Sequence, residues 1–578
     1  MTISWNSLGG HIVVFGFHGV ARRIVRQLTT AGQYVVVVES DATPAEREAM
    51  RRYGAHYLEG FRQSEETLDD ARVDEAHAVI CAFNDDVRNI EIALLVRRRS
   101  SNVRIVVQMA NASVGRALRP IAVPGAVLEV AELAAPSFVE TAIDRTTHAL
   151  DLGGRDFIVS SHRAATDGTF RSIWGDLAPI ALTPDGEAPT MSCPRRDDPV
   201  RRGDKVTLMG TAEDFAAVGL TPTIARAPNV GRTLKRRLRE GLVASMDLVT
   251  RPLKVTVAIL GSLALISVVL LLIAYREVDG GKMSVLDAVY FTSETIATVG
   301  FGDYYFRDQD SWLRIWAIVV ILLGASLIAI ATALLTDALV SRSLAQSLGR
   351  QRVTGMDGHV VVIGLGAVGS RVATELHEAG YEVAVIDGGE GQRLIPQMRA
   401  AGIPVLIGDA TLPETLAGAG VTRAAGVAVL TSDDLVNIDT GLAVRDALGT
   451  RDIPIVLRLF GHNLAREVGS YLDAGIPRSI ADLAAPWFVG AALGLEVLGT
   501  FYVDAAPFMA AGLTVRPGGG LDGIDLAGLG DRMRVVAIQR AETMELVYPP
   551  RRTTVLQGGD RAYLVGHHEV LFDVLQRA

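Results

Sequence analysis

The chain has 578 residues, of which 49% are hydrophobic and 21% are charged, and its formal net charge is −9 at pH 7. This length excludes a single core, and the acidic balance gives no indication of a nucleic-acid partner. The only two cysteines, Cys81 and Cys193, exclude a disulfide framework or a cysteine zinc site and fit a reducing compartment. No basic start precedes an apolar core at the N-terminus, so we expect no cleaved signal peptide.

The chain begins with alternating predicted strands and helices, and the same pattern returns near its end. Residues 11–40 align without a gap with residues 359–388, and RGDKVTLMG (202–210) matches GGDRAYLVG (558–566). Short apolar strands that alternate with segments of helical spacing predict a parallel, doubly wound sheet, followed by a smaller and more β-rich lobe. The chain therefore carries two copies of one domain, called here the first and the second copy.

Two long apolar runs lie between the copies. Residues 255–274 and 315–336 contain no charged side chain. Each run is long enough to cross a hydrocarbon core of about 30 Å as a helix. The alternative, a buried helix of a soluble core, fits less well because both runs exceed the usual length of a globular helix. Basic residues outside the two runs and acidic residues between them place both termini in the cytoplasm.

A short amphipathic segment and a glycine-containing motif connect the two runs. Residues 283–297 are too short and too polar to span, so they predict a re-entrant helix that enters from outside, and TVGFGD (298–303) follows directly. Two glycines at alternate positions allow successive carbonyls to point one way, where they can replace the hydration shell of a cation. The alternative is a chance glycine-rich turn. The expected K⁺ ligands are the carbonyl oxygens of Thr298, Val299, Gly300 and Phe301.

Helix, re-entrant helix, TVGFGD and helix together resemble the pore of potassium channels. That resemblance implies that Glu294 supports the filter by sharing a proton with Asp303; the alternative is an acid exposed to the outer vestibule. It also implies that Gly324 is a gating hinge, or a small residue for close helix packing. A closed carbonyl ring needs four chains, so a homotetramer in the lipid bilayer is implied. The expected filter residues are Thr298, Val299, Gly300, Phe301, Gly302 and Asp303.

The second copy contains a dinucleotide-binding fingerprint. Gly364, Gly366 and Gly369 follow a predicted strand and open a helix, and Asp387 ends the next strand. The glycines allow a tight turn, close approach of phosphate and close helix packing. Asp387 would bind a ribose diol, which favours NAD(H) or an adenine nucleotide over NADP. The alternative is a structural turn in a domain that has lost its ligand.

The first copy has lost several of these features. His18 replaces the second glycine and Ala21 the third, although Glu39 could still bind a diol. Residues 60–63 read GFRQ where the second copy has GDAT, and Gln108 stands where the second copy has an arginine. These changes predict a copy that has lost the nucleotide site and is structural, or that binds something else. A neighbouring acidic cluster could hold Ca²⁺, although a solvated helix surface is the preferred interpretation; its members are Glu65, Glu66, Asp69 and Asp70.

The strand–helix units, the GDAT segment and the β-rich tail resemble the RCK (TrkA-N/TrkA-C type) regulatory domain of potassium channels and transporters. The resemblance implies that Asp409 and Thr411 line the adenosine side, and Arg458 could pair with phosphate. Family channels usually carry RCK domains after the pore, whereas here one copy precedes the pore and one follows it. Four chains would supply eight such domains, enough for a gating ring.

The sequence thus predicts α/β Rossmann-like regulatory domains in two copies, each with a small α+β C-terminal lobe, flanking an all-α two-helix ion-channel pore. We expect a multi-pass cell-membrane protein that is not an enzyme: a potassium-selective channel gated by a cytoplasmic ligand. The alternatives are a membrane-anchored NAD-binding oxidoreductase and a regulatory subunit of a potassium transporter. The expected segments are lobes 1–148 and 149–225, linker 226–251, pore 252–340 (helices 252–275, 283–297 and 313–337), linker 341–357, and lobes 358–498 and 499–578.

Overall fold

The computed structural model describes residues 10–60, 65–123, 125–144, 147–185, 190–220, 251–276, 281–347, 356–460, 464–465, 467–468, 474–504, 506–529 and 532–575. The chain divides into two compact units, one comprising residues 1–228 with 352–578 and the other residues 229–351. Most of the predicted linkers 226–251 and 341–357 lies outside the described residues. The predicted fold class is confirmed in both units.

The first copy begins with a parallel six-stranded sheet in the order β3-β2-β1-β4-β5-β6. Its central strands are buried on both faces because helices cover the sheet on each side, which explains their unbroken runs of valine and isoleucine. The elements are β1 Ile12–Phe15, α1 Val20–Thr30, β2 Val35–Glu39, α2 Pro44–Tyr53, β3 His56–Glu59, α3 Glu65–Asp70, β4 Ala78–Cys81, α4 Asp86–Arg99, β5 Arg104–Met109, α5 Ala112–Ala122, β6 Gly125–Glu129 and α6 Val130–Ala142.

The C-terminal lobe of the first copy is an antiparallel sheet in the order β11-β10-β13-β8-β7, with two short helices and a separate two-stranded ribbon of β9 and β12. The elements are β7 Thr147–Leu152, β8 Arg155–Arg163, β9 Gly168–Thr169, α7 Phe170–Trp174, β10 Ala178–Thr183, β11 Met191–Ser192, β12 Pro199–Val200, β13 Lys205–Gly210 and α8 Ala212–Ala217.

The described residues of the unit 229–351 form three helices: α9 Arg251–Ala274, α10 Val285–Ile296 and α11 Ser311–Ser347. Among the described residues, two segments are long and apolar enough to cross a membrane, 251–274 and 311–337, with mean hydropathies of 2.9 and 2.8. Between them, α10 starts at Ser284, whose hydroxyl accepts a hydrogen bond from the Asp287 amide. The helix α11 continues beyond the apolar segment to Ser347.

The second copy repeats the first. Its parallel sheet has the order β16-β15-β14-β17-β18-β19, and its C-terminal lobe has the order β20-β21-β24-β22-β23. The elements are β14 Val360–Ile363, α12 Ala367–Glu378, β15 Val383–Asp387, α13 Ile395–Ala400, β16 Val405–Ile407, α14 Pro413–Gly418, β17 Gly426–Val429, α15 Asp434–Leu448, β18 Ile455–Leu459, β19 Ile476–Ser479, α16 Ile480–Leu493, β20 Glu496–Val503, β21 Ala506–Thr514, β22 Met533–Gln539, β23 Leu546–Val547, β24 Arg561–His567 and α17 His568–Leu575.

The two copies share their hydrophobic cores. The helix α6 of the first copy packs against α12 of the second, and α16 of the second packs against α1 of the first. Phe138 of α6 and Phe488 of α16 are fully buried in one common cluster. A second cluster joins the two C-terminal lobes, where Phe157 and Phe508 lie together with their neighbours. The two copies therefore form one folded unit rather than two independent domains.

Candidate ion filter and nucleotide site

The backbone of the filter segment alternates between positive and negative φ angles. Thr298, Gly300 and Gly302 have φ values of 59°, 61° and 80°, whereas Val299 and Phe301 between them are not in the positive-φ region. Alternation in the sign of φ turns successive carbonyl groups to the same side of the chain, as an ion path made of backbone oxygens requires. A positive φ is costly for β-branched Thr298, so this conformation is a strained feature of the kind that clusters at functional sites.

The two filter glycines are required by conformation rather than by space. A Cβ at Gly300 or Gly302 would meet no atom within 4 Å in the chain. Both residues have positive φ, which glycine adopts without strain. Phe301, which stands where tyrosine is commoner, is 68% exposed in the single chain.

The start of the filter is tied to the last turn of α10. The Thr298 amide donates to the Thr295 carbonyl at 3.1 Å, and the Val299 amide donates to the Glu294 carbonyl at 2.8 Å. These two bonds satisfy carbonyls at the helix end and fix the direction in which the filter leaves it. The orientation of α10 is thereby transmitted to Thr298.

Asp303 has a partner that the sequence did not indicate. The Tyr290 hydroxyl donates to Asp303 Oδ2 at 3.2 Å. Glu294 is only 6% exposed, which excludes the vestibule-facing alternative within this chain, and its Oε2 has no hydrogen-bond partner among the described residues. The predicted proton sharing between Glu294 and Asp303 therefore stays a prediction. Tyr290 lies on the same helix, and no spacing rule singles it out.

Gly324 lies where α11 meets the end of α10. A Cβ on Gly324 would stand 3.3 Å from both Cα and Cγ1 of Ile296. The helix α11 runs through this position without interruption. The contact favours the packing role for Gly324, and the hinge role stays a prediction.

The three fingerprint glycines of the second copy occupy three different environments. Gly364 has φ 95°, and a Cβ there would stand 2.8 Å from the Thr431 amide. A Cβ on Gly369 would overlap the Gly364 carbonyl oxygen, whereas Gly366 faces open space at the N-cap of α12. Gly364 thus allows a tight turn, Gly369 allows close packing, and Gly366 leaves the helix amides open to a ligand. Phosphate binding needs all three features.

Asp387 stabilises the glycine turn through hydrogen bonds to backbone amides. It is 5% exposed and accepts hydrogen bonds from the backbone amides of Leu365 (2.7 Å), Gly389 (2.8 Å) and Gly391 (2.9 Å). A carboxylate has about four acceptor sites, so a ribose diol would compete for this group rather than find it free. The loop at 388–391 was not expected to take part, because its sequence shows only its glycines and not where their amides point.

Asp409 and Thr411 form a local turn. Asp409 Oδ1 accepts from the Thr411 amide at 2.9 Å and from the Thr411 hydroxyl at 2.8 Å. The backbone bond, followed by the hydroxyl bond, lowers the pKa of Asp409 below its usual value. The role of the two residues on the adenosine side stays a prediction.

Arg458 is a half-buried cation, and no acid of the described residues forms an ion pair with it. Burial lowers its pKa to about 10, with Asp434 acting in the opposite direction, and its guanidinium lies 4.4 Å from the centre of the Phe460 ring. Its Nε is buried without a hydrogen-bond partner among the described residues. A desolvated guanidinium of this kind is suited to receive an anionic group.

The first copy has a different turn. The His18 ring lies 3.7 Å from Glu39 and 3.7 Å from Glu46, in the space that Gly366 leaves open in the second copy. Glu39 accepts from the Phe17 amide at 3.1 Å, as Asp387 does from Leu365. Residues 61–63 lie outside the described part of the chain. These contacts agree with a turn that has been filled by side chains.

The acidic cluster of the first copy shows no metal geometry. Asp69 and Asp74 are both ion-paired with Arg99. Within the described ranges, no group of three or more His, Cys, Asp or Glu side chains is placed to hold a metal ion. The ion pairs with Arg99 favour the solvated-surface interpretation of Glu65, Glu66, Asp69 and Asp70, and Ca²⁺ binding stays the alternative.

Comparison with known proteins assigns both parts of the chain. A TrkA-N domain model matches residues 12–128 and 360–462, and an ion channel model matches residues 256–341. The chain therefore carries an ion-channel segment between two TrkA-N domains. The ion-channel match and the two apolar helices mark it as a membrane protein.

Two curated relatives match part of the chain. Potassium channel protein 1 of Methanocaldococcus jannaschii is 23% identical over 222 residues, which cover 36% of this chain and 65% of that protein. A protein of Methanothermus fervidus without an assigned activity is 28% identical over 159 residues, 27% of this chain and 25% of its own. The chain thus spans a quarter of one relative and just under two thirds of the other.

Solved structures match along almost the whole chain. The GsuK channel bound to NAD has a TM-score of 0.50 and 18% identity, and the match covers 99% of this chain and 79% of that one. A second solved structure, of the GsuK channel, has the same TM-score, identity and coverage. At this identity the likeness concerns the fold alone.

Proposed function

We propose that the chain forms a potassium-selective channel whose opening is controlled by a nucleotide bound to the second copy. The observation that carries this proposal is the alternating φ at 298–302, set between two apolar helices within a segment that matches the ion channel model. Four chains are needed to close a ring of carbonyls around an ion, so the channel is a homotetramer with eight TrkA-N domains. The filter is Thr298–Asp303, with K⁺ held between Thr298 and Phe301.

The basic residues that flank the pore support an orientation with both termini in the cytoplasm of the cell. Both regulatory copies then face cytoplasmic nucleotides. The two apolar helices cross the bilayer, and α10 enters it from the outer side.

The proposed ligand is NAD(H) or an adenine nucleotide. Its phosphates would lie over Gly366 at the start of α12, where the amides are open, and Arg458 would pair with phosphate. The ribose hydroxyls would replace the loop amides as hydrogen-bond donors to Asp387. Asp409 and Thr411 would line the adenosine side. The GsuK channel bound to NAD has the same fold, which makes NAD the first ligand to test.

Ligand binding would act on the pore by differential affinity. A nucleotide changes the open fraction only as far as it binds the open and closed arrangements differently. Moving the equilibrium from mostly closed to mostly open requires a ratio of affinities of about 10⁴. Because the two copies share one core, a change at the glycine turn is carried by the whole regulatory unit rather than by one lobe.

Potassium flux into liposomes tests the pore. The full chain is expected to give K⁺-selective flux that is lost in Gly300→Ala and Gly302→Ala, because alanine resists positive φ. The control is Gly261→Ala on α9, where an added Cβ meets no atom within 4 Å. Selective flux that survives in both filter variants, or no K⁺-selective flux under any nucleotide condition, would contradict the proposal.

Calorimetry on the full chain in detergent tests the nucleotide site with NAD⁺, NADH, ATP, ADP and AMP. Arg458→Gln replaces the arginine by glutamine, the residue at the equivalent position of the first copy, Gln108. We expect this variant to weaken nucleotide binding about tenfold or more. Arg399→Gln, an exposed arginine of α13, is the matched control. Equal binding by both variants and the parent chain would remove Arg458 from the site.

A further inference from the structure

A cavity of about 320 Å³ lies between the N-terminal lobe of the first copy and the C-terminal lobe of the second. Ala31 and Gln33, which follow α1, form one wall. The end of α16 at Gly494 and residues of β20, β21 and β24 form the others. Its volume lies at the lower end of the range for small-molecule sites, and its walls belong to both copies.

The lining carries an uncompensated positive charge. Arg516, Arg561 and Glu496 are the charged residues among the described residues that line the cavity. Arg561 is ion-paired with Glu496. Arg516 is exposed, and its guanidinium has no hydrogen bond or ion pair within the described part of the chain. The Thr514 hydroxyl and the Gln33 amide add neutral hydrogen-bonding groups to the same walls.

Gly512 leaves space for one of these cations. A Cβ at Gly512 would stand 3.2 Å from Arg561 Nε and 3.7 Å from Glu496 Oε2. The Arg561 guanidinium therefore lies across the strand at a point where any larger residue would crowd it. The open strand surface at Gly512 is what allows Arg561 to reach the cavity.

The equivalent face of the first copy lacks this arrangement. The strand pairings place Ala165 at the position of Arg516 and Lys205 at the position of Arg561. Lys205 is held by Asp504 of the second copy, with Nζ and Oδ1 2.5 Å apart. Of these two related faces, only that of the second copy therefore has an arginine at the position of Arg516.

We propose that this cavity is a regulatory anion site for a small organic molecule carrying a phosphate or a carboxylate group. A guanidinium presents its N–H donors in a planar fork that fits either anion. Arg516 supplies such a fork without a partner among the described residues, and Arg561, paired with Glu496, adds a second cation beside it. The ligand would contact Gln33 of the first copy and both arginines of the second. Its binding stabilises the contact between the copies without using Asp387 or Arg458.

The test uses the full chain in detergent, with inorganic phosphate and citrate as probes and choline chloride at matched ionic strength as the baseline. At least one probe is expected to bind in calorimetry and to raise the unfolding temperature. Arg516→Ala is expected to weaken binding about tenfold or more, because a charge-assisted contact is lost. Arg551→Ala, an exposed arginine of the same lobe outside the cavity, is the matched control.

Two further variants separate this site from others. Gly512→Ala is expected to weaken binding while every charge is retained, and Asp387→Ala is expected to leave it unchanged. Binding of phosphate alone or of citrate alone supports the site and identifies the anion. Absence of binding by both probes, or equal binding by Arg516→Ala and the parent chain, overturns the proposal whatever the outcome of the nucleotide and flux experiments.

Discussion

Arg23 of α1 and Asp482 of α16 form a buried ion pair between the two copies, with Nε and Oδ1 2.8 Å apart. Their side chains are 10% and 2% exposed. The atoms are close but not aligned as a hydrogen bond, so the attraction is that of an ion pair. The equivalent residues on the other side, Arg371 and Glu132, are 3.9 Å apart and about half exposed. The two related interfaces are thus held unequally.

Removing Arg23 should destabilise the regulatory unit strongly. Arg23→Ala leaves Asp482 buried without its cation, a change that costs about 3–5 kcal/mol in comparable sites. Glu132→Ala, which removes only the exposed acid of the equivalent pair, is the matched control, with an expected loss of about 0–1 kcal/mol because that pair is solvated. Thermal unfolding of both full-chain variants checks this. Equal losses in the two variants would contradict the inferred difference.

Gly324→Ala should disturb the filter rather than only the gate. The new methyl would press on Ile296, which is two residues before Thr298, at a contact of 3.3 Å. We expect K⁺ flux to fall and the ratio of K⁺ to Na⁺ flux to change. Gly261→Ala, with open space around it, should leave both unchanged. If Gly324 acts only as a hinge, the open fraction will change while the ion ratio stays constant.

Tyr290→Phe should weaken the outer end of the filter. The variant keeps the ring and removes the hydroxyl that donates to Asp303 at 3.2 Å. We expect faster loss of current during sustained conduction, because Asp303 loses this restraint. Tyr305→Phe, at a 70% exposed tyrosine, is the control. Identical current decay in both variants would show that the bond does not restrain the filter.

The stability of the regulatory unit should decrease below about pH 6.5. Burial lowers the pKa of His359, which is fully buried and bonded through Nε2 to the Ala419 carbonyl at 2.9 Å. The folded state therefore keeps this ring neutral, while the unfolded chain takes up a proton below about 6.5. The unfolded state then binds more protons, so stability falls as pH falls.

His359→Gln tests this assignment, because glutamine offers a donor for the same carbonyl and does not titrate. Unfolding temperatures between pH 5.5 and 7.5 should depend less on pH in the variant than in the parent chain. His377→Gln, on an exposed face of α12, should leave the slope unchanged. A slope unchanged in His359→Gln would assign the pH dependence to other groups.

The repeat made the fold largely predictable, because each copy shows apolar strands and helices with glycine boundaries in the order that a doubly wound sheet requires. The backbone conformations at 298–302 and at the glycine turn were also predictable, since both depend on glycine at fixed positions. The partners of Asp387 and Asp303 were not readable. Gly391 and Tyr290 reach these acids through backbone geometry and helix orientation, which local sequence does not encode.

The contact between the two copies could not be predicted from local sequence patterns, for a related reason. Arg23 and Asp482 are far apart in sequence, and either one alone looks like an ordinary charge on an amphipathic helix. Only the packing of α1 against α16 shows that both are buried. The repeat indicates two similar domains, and it does not indicate whether they contact each other.

The common cluster around Phe138 and Phe488 has a consequence for biosynthesis. The apolar face of α6 is made early, and the residues that cover it are translated only after both membrane helices. At a synthesis rate of about 5–20 residues per second, that face waits for roughly 20–70 s. A nascent chain with an exposed phenylalanine surface is a substrate for chaperones during this interval. Premature termination after the pore would leave the surface uncovered and the truncated product prone to aggregation.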